Sequence, residues 1–394
     1  MPADPGDAPG DRPPAAAVRD RAAAVGAVLG FSFSLGSASL ILPLLALASG
    51  YDPATIGILT AISAVSQLAL RLQLPAILAI VPDRTMIVAA NGMMVASFAL
   101  LLVSREIPAF VVAQLLQGGA RAMFWTASQT HAVRSRDGVV RSLVIVQVVG
   151  NVGAFAGPAA AGIVAAGSLD SSLVLASAAG VVGLVASLLM LRLAPYPKLR
   201  RGHGPRIWRR PGVDLACWAG YSAGGWRAML SSFVPVALTA AGQAPEVVGA
   251  LLAATEAAAM APAGFLLRRR TPNIRRAIEI GVLVVTISLG ILPAVVASAP
   301  LAGLVLVLGG VGSGLLMSLG PALASQSVGP EEQGEAIAVA GTFRAGALLI
   351  TPAAVSAALT VVALPTGMVV AAFAIGGPAL AAAASRSRAA AASA

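Results

Sequence analysis

The chain has 394 residues, 58% of them hydrophobic and only 11% charged, with a mean hydropathy of +0.87, which excludes an ordinary soluble globular domain. Its formal net charge of +10 raises the question of a nucleic-acid partner. The placement of the charge excludes one, because the basic residues gather in alternate connections between apolar runs, a topology signal and not a binding face.

Residues 1–20, rich in Asp, Pro, Gly and Ala, hold too little apolar surface to pack and predict a disordered cytoplasmic tail. A first span follows at 22–49. Ala46-Leu47-Ala48 has the look of a signal-peptidase site, but the apolar run before it is too long for a signal peptide, so the span reads as uncleaved. Five more spans are predicted at 55–80, 86–103, 108–130, 140–166 and 171–192, each able to cross a hydrocarbon core of ~30 Å. A basic stretch at 194–212 then interrupts the apolar sequence with Lys198, Arg200, Arg201, Arg206, Arg209 and Arg210 and no acid. Six further spans are predicted at 213–240, 246–267, 277–297, 300–326, 334–359 and 365–384, ahead of a tail at 386–394. The expected fold is all-α and membrane-embedded: a six-helix bundle at 21–193, a cytoplasmic linker and a second bundle at 213–385.

The two halves match across the linker. Pro43, Gly50, Pro53 and Gly57 return 192 residues later as Pro235, Gly242, Pro245 and Gly249, and Pro108 and Gly118 return as Pro300 and Gly310. Gly153 and Pro158 fall near Gly346 and Pro352. Order and near-constant spacing mark an internal duplication. The odd-numbered connections expected outside the cell are short turns such as 50–54 and 242–245. The inner ones carry Arg134, Arg136 and Arg141, then Arg268–Arg270 with Arg275 and Arg276. Arg105 is the one basic residue in an outer connection. Cys217, the single cysteine, reads as a small core residue, and the two histidines, His131 and His203, are expected in loops, which argues against a histidine-built metal site.

Six spans, a basic loop and six more in the same orientation resemble the major facilitator superfamily of secondary transporters, over about residues 22–385. In the fifth span, Gly153-x3-Gly157-Pro158-x2-Ala161-Gly162 is similar to the antiporter motif of its drug-efflux members, with Ala161 in place of a glycine. Small residues four apart also let two helices approach closely, and Pro158 favours a bend. The loop after the second span normally reads G-x-L-A-D-R-x-G-R-R in this family. Here it keeps only Asp83 and Arg84, which read either as a conformational motif or as a surface pair. In the fourth span Ala113, Gln117 and Gly118 fit the family's A-x-x-x-Q-G pattern, with Gln114 where exporters usually place an arginine. The resemblance implies that spans 1, 4, 7 and 10 line a central cavity and that spans 2, 5, 8 and 11 flank it.

Five charges fall inside the predicted spans: Arg71, Arg121, Arg227, Glu256 and Arg344. An arginine at mid-membrane costs ~2.5–3.5 kcal/mol, so these residues must face water, a partner or a ligand. All five lie on spans that the resemblance assigns to the cavity or its flanks. Polar neighbours at helical spacing form stripes with them: Ser63, Gln67 and Arg71; Gln114, Gln117, Arg121, Trp125 and Ser128; Gln147 and Asn151; Arg227 and Ser231. Such stripes read either as ligand contacts or as interhelical hydrogen bonds. Arg227 and Glu256 lie at depths differing by about 5 Å, so they can pair across neighbouring spans, and Glu256 is the candidate proton carrier.

These features predict an exporter of small organic molecules, anionic or amphipathic given four arginines to one glutamate, exchanging them for protons. A facilitator or importer of a sugar or organic anion is the alternative. A membrane enzyme would need a nucleophile–base pair or metal ligands within the spans, and none is apparent. The protein is expected to act as a monomer in a bacterial plasma membrane, with both termini cytoplasmic, no cofactor and no metal. The bacterial assignment rests on its alanine-rich composition and on basic residues that, Lys198 apart, are all arginine.

Overall fold

The computed structural model describes residues 14–132, 134, 139–195, 207–266, 273–329 and 332–392. Among the described residues the regular structure is entirely helical. The first half contributes α1 (Pro14–Ala48), α2 (Pro53–Leu78), α3 (Asp83–Val103), α4 (Ile107–Ala132), α5 (Val139–Ala165) and α6 (Leu169–Leu188). A 3-10 turn at Ile207–Arg209 precedes α7 (Val213–Leu230), α8 (Phe233–Ala240), α9 (Pro245–Leu266), α10 (Ile274–Val295), α11 (Ala299–Gln326), α12 (Gln333–Ala358) and α13 (Leu364–Ala392). By length and composition, α1, α2, α3, α5, α6, α10, α11, α12 and α13 are apolar enough to cross a membrane. The remaining long helices, α4, α7 and α9, carry Arg121, Arg227 and Glu256.

Two expectations need correction. The seventh span, read as one helix over 213–240, is two helices parted at Ser231–Ser232. Pro235 has no N–H to offer the Ser231 carbonyl, and the Ser231 and Ser232 hydroxyls donate to the Arg227 and Ala228 carbonyls, so the ladder lapses here. The disordered tail does not extend through residue 20: α1 starts at Pro14 and carries Asp20 into a hydrogen-bonded site. At the other end α13 extends to Ala392, so helix runs into the stretch expected as a tail. The linker residues Lys198, Arg200, Arg201, Arg206 and His203 lie outside the described residues, as do Arg136 and Arg268–Arg270.

The duplicated skeleton reappears as duplicated turns. Gly50 and Gly242 adopt φ of 86° and 84°, the left-handed conformation that glycine takes without penalty. At each, the following amide reaches back five residues, from Tyr51 to Ala46 O at 3.1 Å and from Gln243 to Leu238 O at 3.0 Å, closing the preceding helix. Pro53 and Pro245 then open α2 and α9, where a missing N–H costs nothing.

The chain divides into two compact units: residues 1–38, 65–157 and 170–200, and residues 39–64, 158–169 and 201–394. The first is cored by Phe31 and Phe124, whose rings stack with centroids 3.8 Å apart, with Phe98, Met86 and Ile87 also buried. Its α1–α5 contact depends on glycine, since a β-carbon at Gly153 would lie 2.7 Å from Ser32 Cβ and 2.8 Å from the Phe33 nitrogen. Gly157 meets the Phe33 and Ser37 backbone, and Ser37 Oγ donates to the Gly157 carbonyl at 3.1 Å.

In the second unit Trp226 is fully buried against Gly309 of α11. Gly220 and Gly224 of α7 sit on the backbone of Ala340 and Arg344 in α12, while Gly162 and Gly249 bring the end of α5 against the start of α9. Arg210, just after the 3-10 turn, forms a bidentate pair with Glu332 at 2.5 and 2.9 Å, fastening the end of the linker to the start of α12. Its hydrogen bonds hold the Glu332 carboxyl below the usual carboxylate range.

Candidate functional site: polar and charged residues within the spans

In the first unit the polar stripes divide between packing and exposure. On α2, Gln67 is buried and Arg71 is half-buried, with its Nε shielded and lacking a hydrogen-bond partner among the described residues. On α4, Gln117 is fully buried and donates through Nε2 to Ser97 Oγ of α3 at 3.2 Å, so this member of the stripe links two helices. Gln114 is buried as well, whereas Arg121 is half-buried. The Trp125 ring lies against Gly150 of α5 and edge-on to Phe124. Gln147, exposed on α5, donates to Asn151 Oδ1 one turn later at 2.9 Å. Arg71, Arg121, Gln147 and Asn151 thus remain accessible, and Gln114 and Gln117 belong to the packed interior.

In the second unit Arg227 of α7 and Glu256 of α9 pair directly, Arg227 Nη1 donating to Glu256 Oε1, as their matched depths anticipate. The pair is only partly sequestered, with side-chain exposures of 36% and 21%. Arg227 sits one turn before the α7–α8 break, and its carbonyl accepts the Ser231 hydroxyl at 3.0 Å. Arg344 of α12 points toward α11, where its Nη1 lies 3.3 Å from Met317 Sδ.

A third cluster, at the end of the first unit where the connections are basic, escaped the sequence reading. Asp83 and Arg84 do not form a surface pair. Asp83, in the first turn of α3, is 2% exposed and its Oδ2 lies 3.3 Å from His131 Nδ1, while Arg84 Nη2 donates to the Leu188 carbonyl. His131 is not in a loop but in the last turn of α4, 4% exposed, with Nε2 3.1 Å from Asp20 Oδ2. Asp20 Oδ1 accepts the Leu191 amide at 2.6 Å, tying the end of α6 to α1. Arg134 Nη1 reaches the Ala194 carbonyl at 2.5 Å. A lone histidine closing an apolar run was the available signal, and an acid in a stretch expected to be unstructured concealed its partner.

Among the described residues no group of three or more His, Cys, Asp or Glu is arranged to hold a metal ion. Cys217 is buried among Ile207, Val213, Ala216, Ala324, Ala336 and Ala340.

Solved structures similar to this one are transporters. They include a peptide transporter POT in complex with sulfate, at 15% identity, 93% coverage of each chain and a TM-score of 0.71. A POT family transporter in complex with 5-aminolevulinic acid aligns at 12% identity over 92% of this chain and 95% of that one, with a TM-score of 0.72. The nucleoside transporter NupG aligns at 11% identity over 94% and 98%, with a TM-score of 0.71. At such identities the likeness is one of fold. No curated protein sequence matches the chain significantly. The sequence itself fits the family model described as Major Facilitator Superfamily over residues 23–352. With the multi-pass helical architecture and the duplicated turns, that match establishes the chain as a member of the major facilitator superfamily, an integral membrane transporter.

Proposed function

We propose that the protein is a secondary transporter exporting small organic molecules, anionic or amphipathic, in exchange for protons. The halves 21–193 and 213–385 are its two moving bodies, residues 194–212 its linker, and a bacterial inner membrane its location, with both termini cytoplasmic. The observation that carries this reading is the charge set at depth: Arg71, Arg121, Arg227 and Arg344 against Glu256, with Glu256 held by Arg227. Protonating Glu256 removes the charge that Arg227 neutralises, so one proton frees an arginine for an anion. The Gly153, Gly157, Pro158 and Gly162 face, which resembles the efflux antiporter motif, supports the outward direction, and its glycines make the close helix contacts such a motif requires.

The test has two stages. Matched anionic, neutral and cationic amphipaths are screened by thermal shift on the purified protein, where a ligand of the folded state raises the melting temperature by mass action. Anions are expected to stabilise the wild type and to lose that effect in Arg121→Ala and Arg344→Ala. Stabilisation by cations that is lost in Glu256→Gln overturns the anion reading. The stabilising compound is then loaded into liposomes and its flux measured under an imposed pH gradient. Flux that follows the gradient and is lost in Glu256→Gln is the expected outcome. Because Arg227 and Glu256 already form a complete ion pair, a facilitator or importer with a purely structural pair is the competing reading. Gradient-independent flux that survives Glu256→Gln selects it.

A further inference from the structure

The buried cluster at the basic end of the first unit takes no part in the proposed transport chemistry, and its geometry is demanding. His131 has a carboxylate oxygen at each ring nitrogen: Asp20 Oδ2 at 3.1 Å from Nε2 and Asp83 Oδ2 at 3.3 Å from Nδ1. A neutral imidazole carries one N–H and one lone pair, so in either tautomer one nitrogen would present its lone pair to a carboxylate. Only the imidazolium puts an N–H and a positive charge between both carboxylates; Nε2 is at hydrogen-bond distance from Asp20, while Nδ1 and Asp83 Oδ2 meet at ion-pair distance without hydrogen-bond alignment. The Asp83 side chain is 0% exposed and that of Asp20 15% exposed, so neither charge is fully answered by water.

We propose that Asp20, His131 and Asp83 form a proton-binding site, an imidazolium clasped between two carboxylates that fastens α1, α3 and α4 together and loosens them when the proton leaves. Through Asp20 Oδ1 the clasp also holds the Leu191 amide, so the segment following α6 is secured by the same proton. The surrounding charges are Asp20 and Arg21 from α1, Asp83 and Arg84 from α3, and Arg134 beyond α4; α5 contributes Ser142. Arg84 and Arg134 each place a guanidinium nitrogen on a backbone carbonyl near the end of α6. A cavity of about 130 Å³, lined by Asp20, Arg21, His131, Arg134 and Ser142 with an otherwise apolar wall, adjoins the clasp and gives the proton a route to exchange.

The electrostatics agree with the geometry. Burial lowers the affinity of His131 for its proton, but the hydrogen bonds and charges of Asp20 and Asp83 outweigh it, and the pKa rises to about 9. The ordinary value in an unfolded chain is about 6.5. The clasp's contribution to stability is therefore complete below about pH 6.5 and is lost as the pH rises through about 9.

The protein has two histidines, so His203→Gln leaves a single imidazole to follow by NMR in the full chain labelled at histidine. The expected result is a midpoint near 9 that falls by about one pH unit or more in Asp83→Asn and in Asp20→Asn. A wild-type midpoint at or below about 6.5 overturns the proposal. Thermal unfolding supplies a second readout. The wild-type melting temperature should fall between about pH 7 and pH 10, and His131→Arg, a cation that keeps its charge, should flatten that fall. An unchanged alkaline fall in His131→Arg also overturns the proposal. Should His131→Arg not fold, Asp20→Asn, which keeps the shape of the side chain, provides the same comparison with an earlier alkaline loss expected. Both measurements are independent of substrate and transport direction.

Discussion

The helix that opens each half carries a matched proline and stops at a matched glycine, Pro43 and Gly50 against Pro235 and Gly242, yet α1 runs unbroken for 35 residues while its counterpart is two pieces, α7 and α8. Pro43 and Pro235 each deprive the carbonyl four residues earlier of its usual donor. The difference lies beside them. Where the break has Ser232, whose hydroxyl donates to the Ala228 carbonyl at 2.7 Å, α1 has Leu40, fully buried in the core. With one hydroxyl before the proline, at Ser39, the helix stays continuous; with two, at Ser231 and Ser232, it parts. The charge follows the same asymmetry. Arg227 and Glu256 correspond to Leu35 and Ala64, so the ion pair and the break beside it belong to the second half only. Duplication supplied one frame twice, and the second copy has been adapted to hold this ion pair.

The sharpest way to break this comparison is to convert the second half into the first. Arg227→Ala alone leaves Glu256 without its donor and should cost about 1.5–3 kcal/mol in thermal or denaturant unfolding. Arg227→Leu combined with Glu256→Ala, copying the first half, should recover most of that stability while reducing flux at least about tenfold, a barrier change near 1.4 kcal/mol. If the double variant transports normally, the asymmetry has no role in function.

A smaller effect separates Gly153 from Gly346, matched in the sequence and dissimilar in the fold. Gly153→Ala forces a β-carbon into the α1 backbone and should destabilise by about 1–3 kcal/mol. Nothing lies within 4 Å of a β-carbon at Gly346, so Gly346→Ala should stabilise by roughly 0.5–1 kcal/mol. The smallest effect concerns the break itself. Ser232→Leu should slow amide exchange over residues 231–236 with a stability change within about 0.5 kcal/mol, whereas Pro235→Ala alone should leave that exchange fast.

What could be read without coordinates was what the membrane enforces. Apolar length marked the spans, and the rarity of charge at depth singled out five residues, among them Arg227 and Glu256, whose similar depths allowed them to pair. The same reasoning handled less well the features set by neighbours in three dimensions. Gln117 and Arg121 share a helical stripe by spacing, but a single turn of α4 separates a residue bonded to α3 from one that is half-exposed, and no spacing rule draws that line. A span expected at 108–130 stops two residues short of the end of α4 and leaves His131 in a loop, and a Pro- and Gly-rich start extended over the first turns of α1 hides Asp20. The break in α7 was legible in principle, since Ser231, Ser232 and Pro235 stand together, but an apolar run of the right length concealed it.

Cys217 carries a practical consequence. The chain's one native thiol is enclosed where α7, α11, α12 and the 3-10 turn meet, among six small or aliphatic neighbours. A maleimide cannot reach such a sulfur without the surrounding helices parting, so reporter cysteines placed elsewhere can be labelled against a silent background. The native sequence is thereby suited to spectroscopic distance measurement as it stands, with its buried core residue kept.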